Sequence, residues 1–320
     1  MSISTLTVRV AGKAREALDI CTFELVAVNG TLPAFSAGAH IDVRVPNSAT
    51  RQYSLCNSSS ESHRYVIGVL RDPSSRGGSI AMHDQVKEGD LLEISAPKNH
   101  FSLAKDASRS ILLAGGIGVT PILCMAERLA TTGADFEMHY CTRASERTAF
   151  RERIKESSFS RKVTFHFDDG PEDQRLDAWA LLSKQERGAH LYVCGPKGFM
   201  DAMLGTARAQ GWPEEQLHYE FFSNAGLRSG SDGSFEIQLA SSGRVITVEK
   251  EKSVVQALAD AGIKVATSCE QGVCGTCLTR VLEGIPEHKD LFLTPEEQAR
   301  NDQFLPCCSR AVSPHLVLDL

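Results

Sequence analysis

The stretch Cys269-Glu270-Gln271-Gly272-Val273-Cys274-Gly275-Thr276-Cys277 spaces three cysteines as C-x4-C-x2-C, and a further pair, Cys307-Cys308, stands downstream. Thiolates at this spacing are the pattern that holds a [2Fe–2S] cluster. The glycines have a physical task. A loop that wraps a cluster must turn its backbone N–H groups toward sulfur, and Gly272 and Gly275 allow the positive φ and close approach this needs. Structural zinc sites favour separated C-x2–4-C pairs, which these cysteines do not form.

The loop resembles that of plant-type ferredoxins, whose fourth ligand follows the third at the distance of Cys307. The resemblance implies Cys269, Cys274, Cys277 and Cys307 as ligands and favours Cys307 over Cys308, which becomes a small buried neighbour. The flanking residues agree. Residues 235–239 and 244–248 alternate apolar and polar, joined by Ser241-Ser242-Gly243 as a hairpin. Ser253 caps a helix that Gly262 stops. A strand follows the cluster loop at 278–282, Thr294-Pro295 opens a helix with an acidic first turn, and the chain ends in a strand. This order matches an α+β β-grasp ferredoxin domain over 234–320. Glu283, Glu287, Asp290, Glu296, Glu297 and Asp302 lie between the cluster ligands. They read as a solvated face, or as a patch that steers a basic partner.

The 320 residues suffice for two or three domains. A content of 42% hydrophobic and 23% charged residues excludes disorder. The net charge of −6 argues against nucleic acid as the main partner. Ten cysteines are too few for a disulfide-dense scaffold of this length. The N-terminal residues show no basic-then-apolar leader, and no apolar run reaches membrane-spanning length. These features point to a cytoplasmic protein with free thiols and no membrane partner.

Ahead of the cluster, residues 1–104 read as short strands punctuated by Pro33, Gly38 and Pro46, an antiparallel β-barrel. Within it, Arg51-Gln52-Tyr53-Ser54-Leu55 can offer a guanidinium, an aromatic ring and a hydroxyl to one extended ligand, with Arg51 gripping a phosphate bidentately. Downstream, Gly77-Gly78-Ser79 opens a helix, where backbone N–H groups cradle phosphate. Alone, each is a plain strand or a plain glycine turn. Together they describe a flavin site.

Residues 105–224 change character. The apolar run 110–114 leads into Gly115-Gly116-Ile117-Gly118-Val119-Thr120-Pro121 and then a helical pattern, the front of a βαβ unit whose helix N-terminus meets a pyrophosphate. Pro121 pre-sets φ near the first turn at no cost in hydrogen bonds. Two further strands end at Thr142-Arg143 and at Asp168-Asp169, where an acidic side chain accepts from ribose hydroxyls and repels a 2′-phosphate. Asp168 is the candidate, and NADH is favoured over NADPH. Another apolar strand runs into Cys194-Gly195-Pro196. This is an α/β Rossmann-like nucleotide domain. Residues 225–233, rich in Ser and Gly, read as a flexible linker.

Arg51-Gln52-Tyr53-Ser54-Leu55, Gly68-Val69-Leu70 and Gly77-Gly78-Ser79 resemble the ferredoxin–NADP reductase superfamily, as does the Gly-Gly-x-Gly-x-Thr-Pro loop. More closely, the chain is similar to the phthalate dioxygenase reductase and vanillate demethylase reductase family. The resemblance implies that Arg51, Tyr53, Ser54, Gly68, Val69, Gly77, Gly78 and Ser79 hold the flavin, that the flavin is FMN, and that the Ser54 hydroxyl lies near its N5. It implies that Gly116, Gly118, Thr120, Pro121, Cys194, Gly195 and Pro196 bind NAD, and the strand-end residues Arg143 and Asp168 complete that candidate site. Cys194 then sits beside the reacting rings, Phe222 stacks on the flavin, and Glu220 is the acidic residue preceding it. Hydride passes from NADH to FMN, and single electrons pass through the [2Fe–2S] cluster to a terminal Rieske-type aromatic oxygenase or O-demethylase. A plant-type cluster near about −400 mV gives such an acceptor a downhill electron. The alternative is a reductase serving another acceptor, such as a P450 or a small electron-transfer protein.

Overall fold

The computed structural model describes residues 5–47, 49–73, 75, 77–183, 186–222 and 233–320. The expected linker lies outside them, apart from Gly233. The chain forms two compact units, Met1–Phe222 and Ser223–Leu320.

The first unit begins with strands β1 (Thr5–Ala17), β2 (Ile20–Ala27), β3 (His40–Arg44), β4 (Thr50–Ser54) and β5 (Tyr65–Leu70), then helix α1 (Gly78–Gln85) and strand β6 (Leu91–Ser95). They form one antiparallel sheet in the order β4-β3-β6-β1-β2-β5. Leu55, just past β4, bridges Ile67 of β5, and the Cys56 amide donates to Val66 O at 2.9 Å. That pairing closes the sheet into a barrel and removes its exposed edges. Alternation decides what fills it: Val8, Val10, Phe23, Leu25, Ile41, Val43, Leu55, Tyr65 and Ile67 all point inward and are buried. β1 is longer than the sequence alone suggests, because register shifts after Val10 and after Arg15 let one strand bend round the barrel.

The unit continues with β7 (Arg109–Gly115), α2 (Val119–Thr132), β8 (Phe136–Thr142), α3 (Arg151–Glu156), β9 (Val163–Phe167), α4 (Ala178–Leu182), β10 (Ala189–Gly195), α5 (Lys197–Ala209) and β11 (Leu217–Phe221). The strands are parallel in the order β11-β10-β7-β8-β9. Residues of α4 and α5 cover one face of this sheet. Those of α2 and α3 cover the other. The second cluster also takes in Ile20, Ala37 and Cys56 from the barrel half, so the barrel and the parallel sheet share a core. Gly38 makes that sharing possible: a Cβ there would fall 1.9 Å from Phe101 O and 2.9 Å from Met125 Cε.

The order reverses at β7, with β8 and β9 on one side and β10 and β11 on the other. Ligands of such sheets bind at the carboxyl ends of the strands flanking that reversal. Here those ends are Gly115 and Gly195. A 3-10 turn, Gly116–Gly118, leads from β7 into α2.

The second unit comprises β12 (Phe235–Leu239), β13 (Val245–Val248), α6 (Val254–Asp260), β14 (Thr279–Glu283), β15 (Pro286–Glu287), α7 (Pro295–Ala299), β16 (Gln303–Phe304), β17 (Arg310–Ala311) and β18 (His315–Leu318). The main sheet runs β13-β12-β18-β14-β16, with β18 parallel to β12 at its centre. Hairpin, helix, then a returning parallel strand is the β-grasp arrangement expected. Both helix starts are fixed by reciprocal capping: Ser253 with Gln256, and Thr294 with Glu297. Val254, Ala257 and Leu258 of α6 pack on the sheet. Among the described residues, no helix is long and apolar enough to cross a membrane.

The reversal point yields a stability prediction. A Cβ at Gly118 would lie 2.2 Å from the Cys194 carbonyl oxygen, a backbone atom that cannot swing aside. Gly118→Ala should cost the first unit about 1–3 kcal/mol, seen as a lowered melting temperature by circular dichroism. An unchanged melting curve would show that the two loops part without cost.

Candidate flavin, nucleotide and iron–sulfur sites

β4 pairs with β3 in a register that sets His40 opposite Ser54 and Asp42 opposite Gln52. Side chains alternate across a strand. Gln52 and Ser54 therefore share one face with His40 and Asp42, while Arg51 and Tyr53 take the other. Arg51 lies across Gly78: a Cβ at Gly78 would fall 2.6 Å from its Nε. Gly77, at φ 83°, opens α1 beside it. Ser79 Oγ accepts from the Asp72 amide at 3.2 Å and meets Ser75 Oγ at 3.1 Å. The Tyr53 hydroxyl is buried without a hydrogen-bond partner among the described residues. Burial raises its pKa, so it stays a proton donor. A guanidinium, a glycine-opened helix N-terminus and an orphaned phenol suit a ligand with one phosphate and one ring system. These residues fit FMN.

Gly68 and Val69 are closely packed on their side-chain faces. A Cβ at Gly68 would meet Thr120 Cγ2 at 2.9 Å and the Phe150 ring at 3.3 Å. The Val69 side chain sits in the barrel core, and its carbonyl accepts from His83 Nε2 at 2.8 Å.

Ser54 Oγ donates to Glu220 Oε2 at 3.3 Å, across 166 residues of sequence. This contact joins the end of β4 to β11. Glu220 pairs in register with Cys194 of β10. Burial pushes the Glu220 carboxyl up to about 7, with the Ser54 bond pulling the other way. Burial first, then the Glu220 carboxylate, raises the Cys194 thiol well above its usual value. Cys194 is therefore a neutral thiol, no nucleophile. Ser54, Cys194 and Glu220 thus meet at the carboxyl ends of the central strands.

At the nucleotide loop, Gly116 takes φ 52°. The buried Thr120 hydroxyl donates to Ile117 O at 3.1 Å. Pro121 is the third residue of α2, within the first turn, where its missing N–H leaves no bond unmade. Phe199 of α5 covers the crossing, its ring 2.8 Å from where a Cβ at Gly115 would be and 2.7 Å from one at Gly195. Pro196 begins α5, its carbonyl accepting from the Met200 amide at 3.0 Å. Arg143 and Asp168 are exposed just beyond β8 and β9. Their backbones are pinned by bonds from Asp168 N to Thr142 O and from Asp169 N to Arg143 O, each 3.1 Å. Phe222 follows β11 and is 37% exposed, while Phe221 packs toward the core.

In the second unit, Cys269, Cys274, Cys277 and Cys307 are all buried. The Cys269 thiol interacts chiefly with Cys274 and the Cys277 thiol chiefly with Cys307, while Cys274 also meets Thr276 Oγ1 at 3.2 Å. The Gln271 amide donates to Cys269 Sγ at 3.3 Å. Glu270, Gly272 and Gly275 all adopt positive φ. The glycines are also steric necessities: a Cβ at Gly272 would lie 2.4 Å from Cys308 Sγ, and one at Gly275 would lie 2.3 Å from the Phe292 ring. Among the described residues no three metal-binding side chains converge on one point. Thiols set two and two suit a pair of irons better than one tetrahedral zinc. The residues fit a [2Fe–2S] cluster. Cys308 meets Leu305 O and Ser309 Oγ, and also stands beside Cys307.

Asp290 departs from the expected acidic surface. It is 5% exposed, and its carboxylate accepts from the Leu293 amide at 2.9 Å and the Ser309 hydroxyl at 3.3 Å. The bond from Leu291 N to Gly272 O at 3.0 Å ties this segment to the cluster loop. Asp290 is thus a strut inside the domain. The sequence reading also passed over His40 and Asp42. The alternation His40, Asp42, Arg44 reads as an ordinary solvent face, yet only Arg44 is exposed.

Comparison with known proteins agrees with this geometry. Residues 237–312 match the family of 2Fe-2S iron-sulfur cluster binding domains, and residues 112–204 match the oxidoreductase NAD-binding domain. Vanillate O-demethylase oxidoreductase of Pseudomonas putida is 57% identical over 97% of this chain and 98% of its own length. Phthalate dioxygenase reductase of Burkholderia cepacia is 40% identical over 98% of this chain and 97% of its own. A solved phthalate dioxygenase reductase, a modular structure for electron transfer from pyridine nucleotides to [2Fe–2S], superposes with a TM-score of 0.80 at 39% identity, covering 99% of this chain and 98% of that one. On these grounds the chain belongs to the phthalate dioxygenase reductase and vanillate O-demethylase oxidoreductase family.

Proposed function

We propose that this protein is the NADH-dependent reductase component of a two-component Rieske-type oxygenase, with FMN and a [2Fe–2S] cluster as its resident cofactors. The observation that carries the reading is the Ser54–Glu220 contact beside Cys194, which unites the flavin strand with the carboxyl ends of the nucleotide sheet. The bound cofactors supply the splitting of a hydride's electron pair into single electrons. The chain's own residues hold and orient. Arg51 grips the flavin phosphate beside the Gly77-Gly78-Ser79 turn, and Tyr53 donates its hydroxyl. Ser54, Cys194 and Phe222 wall the place where the nicotinamide and flavin rings meet, and they exclude water there. Gly116, Gly118, Thr120 and Pro121 shape the pyrophosphate cradle, with Gly195 and Pro196 opposite. Asp168 receives the adenine ribose, with Arg143 near it. Cys269 and Cys274 serve one iron, and Cys277 and Cys307 serve the other. The acceptor is a separate terminal oxygenase, and the 57% identity to a vanillate O-demethylase component favours an O-demethylase. Ten free cysteines suit a reducing compartment, which supports a cytoplasmic location. The three-domain division, 1–104, 105–224 and 234–320, is proposed in the same sense, with the first two sharing a core.

An anaerobic visible spectrum before and after NADH tests the whole scheme. Flavin and iron–sulfur bands should overlap in the oxidised protein and bleach together. A colourless protein carrying zinc would overturn the proposal. Flavin bleaching with iron–sulfur bands unchanged would detach the cluster from this flavin.

Ligand assignment has its own test. Cys307→Ser should remove most acid-labile sulfide and the reduced-cluster electron paramagnetic resonance signal, while Cys308→Ser should keep both. The reverse pattern would move the fourth ligand to Cys308.

A further inference from the structure

Behind the Ser54–Glu220 contact stands a second polar chain. Glu220 Oε1 faces His40 Nδ1 at 3.8 Å. His40 is 3% exposed, and this nitrogen has no hydrogen-bond partner among the described residues. The other ring nitrogen, Nε2, meets Gln52 Nε2 at 3.1 Å, and the same amide nitrogen donates to Asp42 Oδ1 at 3.1 Å. Asp42 is anchored in turn by Lys98 Nζ at 2.6 Å, while its backbone N–H donates to Ser95 Oγ at 3.0 Å.

This chain fixes a tautomer. A carboxylate only accepts, so Gln52 turns its NH2 group toward Asp42. An amide nitrogen only donates, so His40 Nε2 accepts. A neutral imidazole whose Nε2 accepts carries its proton on Nδ1, the nitrogen that faces Glu220. Burial holds the His40 imidazole down to about 4, which keeps it neutral. The other titratable groups around the pair are few. The His100 ring lies 5.7 Å from the His40 ring, and Cys194 stands beside Glu220 on β10.

Charge balance gives the arrangement a task. Each NADH delivers a hydride, which is a proton with two electrons. The electrons leave singly to one-electron acceptors. NADH and two oxidised acceptors therefore yield NAD⁺, two reduced acceptors and one proton, and that proton must leave a water-excluded site. Ser54 and Glu220 are the hydrogen-bonded pair at that site.

We propose that His40 is a positioning residue, whose Nδ1–H, held in that tautomer by Gln52 and Asp42, orients the Glu220 carboxylate and favours its ionised form, ready to take the proton that Ser54 hands on. Glu220 then releases the proton to solvent. The proposal rests on the reading of Ser54 and Cys194 as neighbours of the reacting rings.

The test is a pH titration of Glu220 by carbon-13 NMR in the oxidised full-length holoenzyme labelled at glutamate side chains. The Glu220 signal is the one lost in Glu220→Gln. His40→Leu removes the donor, and His40→Asn keeps an N–H near the same place. The Leu variant should raise the Glu220 midpoint by up to about one pH unit, since an N–H dipole turned toward the carboxylate favours its charged form, and the Asn variant should stay near the parent. The pH profile for reoxidation of NADH-reduced enzyme by ferricyanide should shift with it. A midpoint unmoved in the Leu variant, or moved equally in both, overturns the proposal. Should His40→Leu fail to fold, Gln52→Leu frees the tautomer and must also raise the midpoint; no change there overturns the proposal too. Samples lacking flavin bands, or unbleached by NADH, would instead sink the reading of the site, and the NMR midpoint reports on His40 independently of that.

Discussion

Two main-chain segments can cross at van der Waals distance only where no side chain stands between them. In this protein that crossing is Gly118 against the Cys194 carbonyl. It brings the first turn of α2 onto the end of β10. A Cβ at Gly118 would press against that carbonyl and push the two loops apart. Because they meet, the helix N-terminus, Cys194 and the neighbouring Glu220 converge on one place, and the end of β4 reaches it through Ser54. The shared core of barrel and parallel sheet holds that convergence rigid, since α2 packs against Ala37, Cys56 and Phe101.

Local chemistry was legible in the sequence wherever a short motif carries its own geometry. The cluster loop, the Ser253 and Thr294 helix starts, the glycine loop before α2 and the glycine turn before α1 each specify backbone shape within a few residues. The hidden features depend on register and on distant packing. His40 and Asp42 look like stray polar residues until β3 is paired with β4, which sets them against Ser54 and Gln52. Asp290 looks like surface charge until the chain folds back and supplies the Leu293 amide and the Ser309 hydroxyl. The tight packing at Gly68 is invisible until Thr120 and Phe150 arrive from elsewhere in the chain.

The two sites also use burial differently. Around Cys194 and Glu220, burial raises the pKa of acidic groups, enough to keep the Cys194 thiol neutral. In the cluster loop, the thiols are equally withdrawn from water, yet backbone N–H groups and turns of positive φ point at sulfur. Such donors favour the anionic ligand. How far burial disfavours the charged form thus depends on which donors the backbone presents.

The tightness at Gly68 has an evolutionary consequence. Its backbone is compatible with a side chain, and the obstacle is the Thr120 methyl group, with the Phe150 ring behind it. A serine at position 120 would keep the hydroxyl that bonds Ile117 O and would remove that methyl. Positions 68 and 120 should therefore vary together across relatives, with alanine at the first accompanying serine at the second. Gly118 has no such freedom, because its neighbour is main chain. One strand–helix junction can drift by paired substitution, while the crossing beside it is locked.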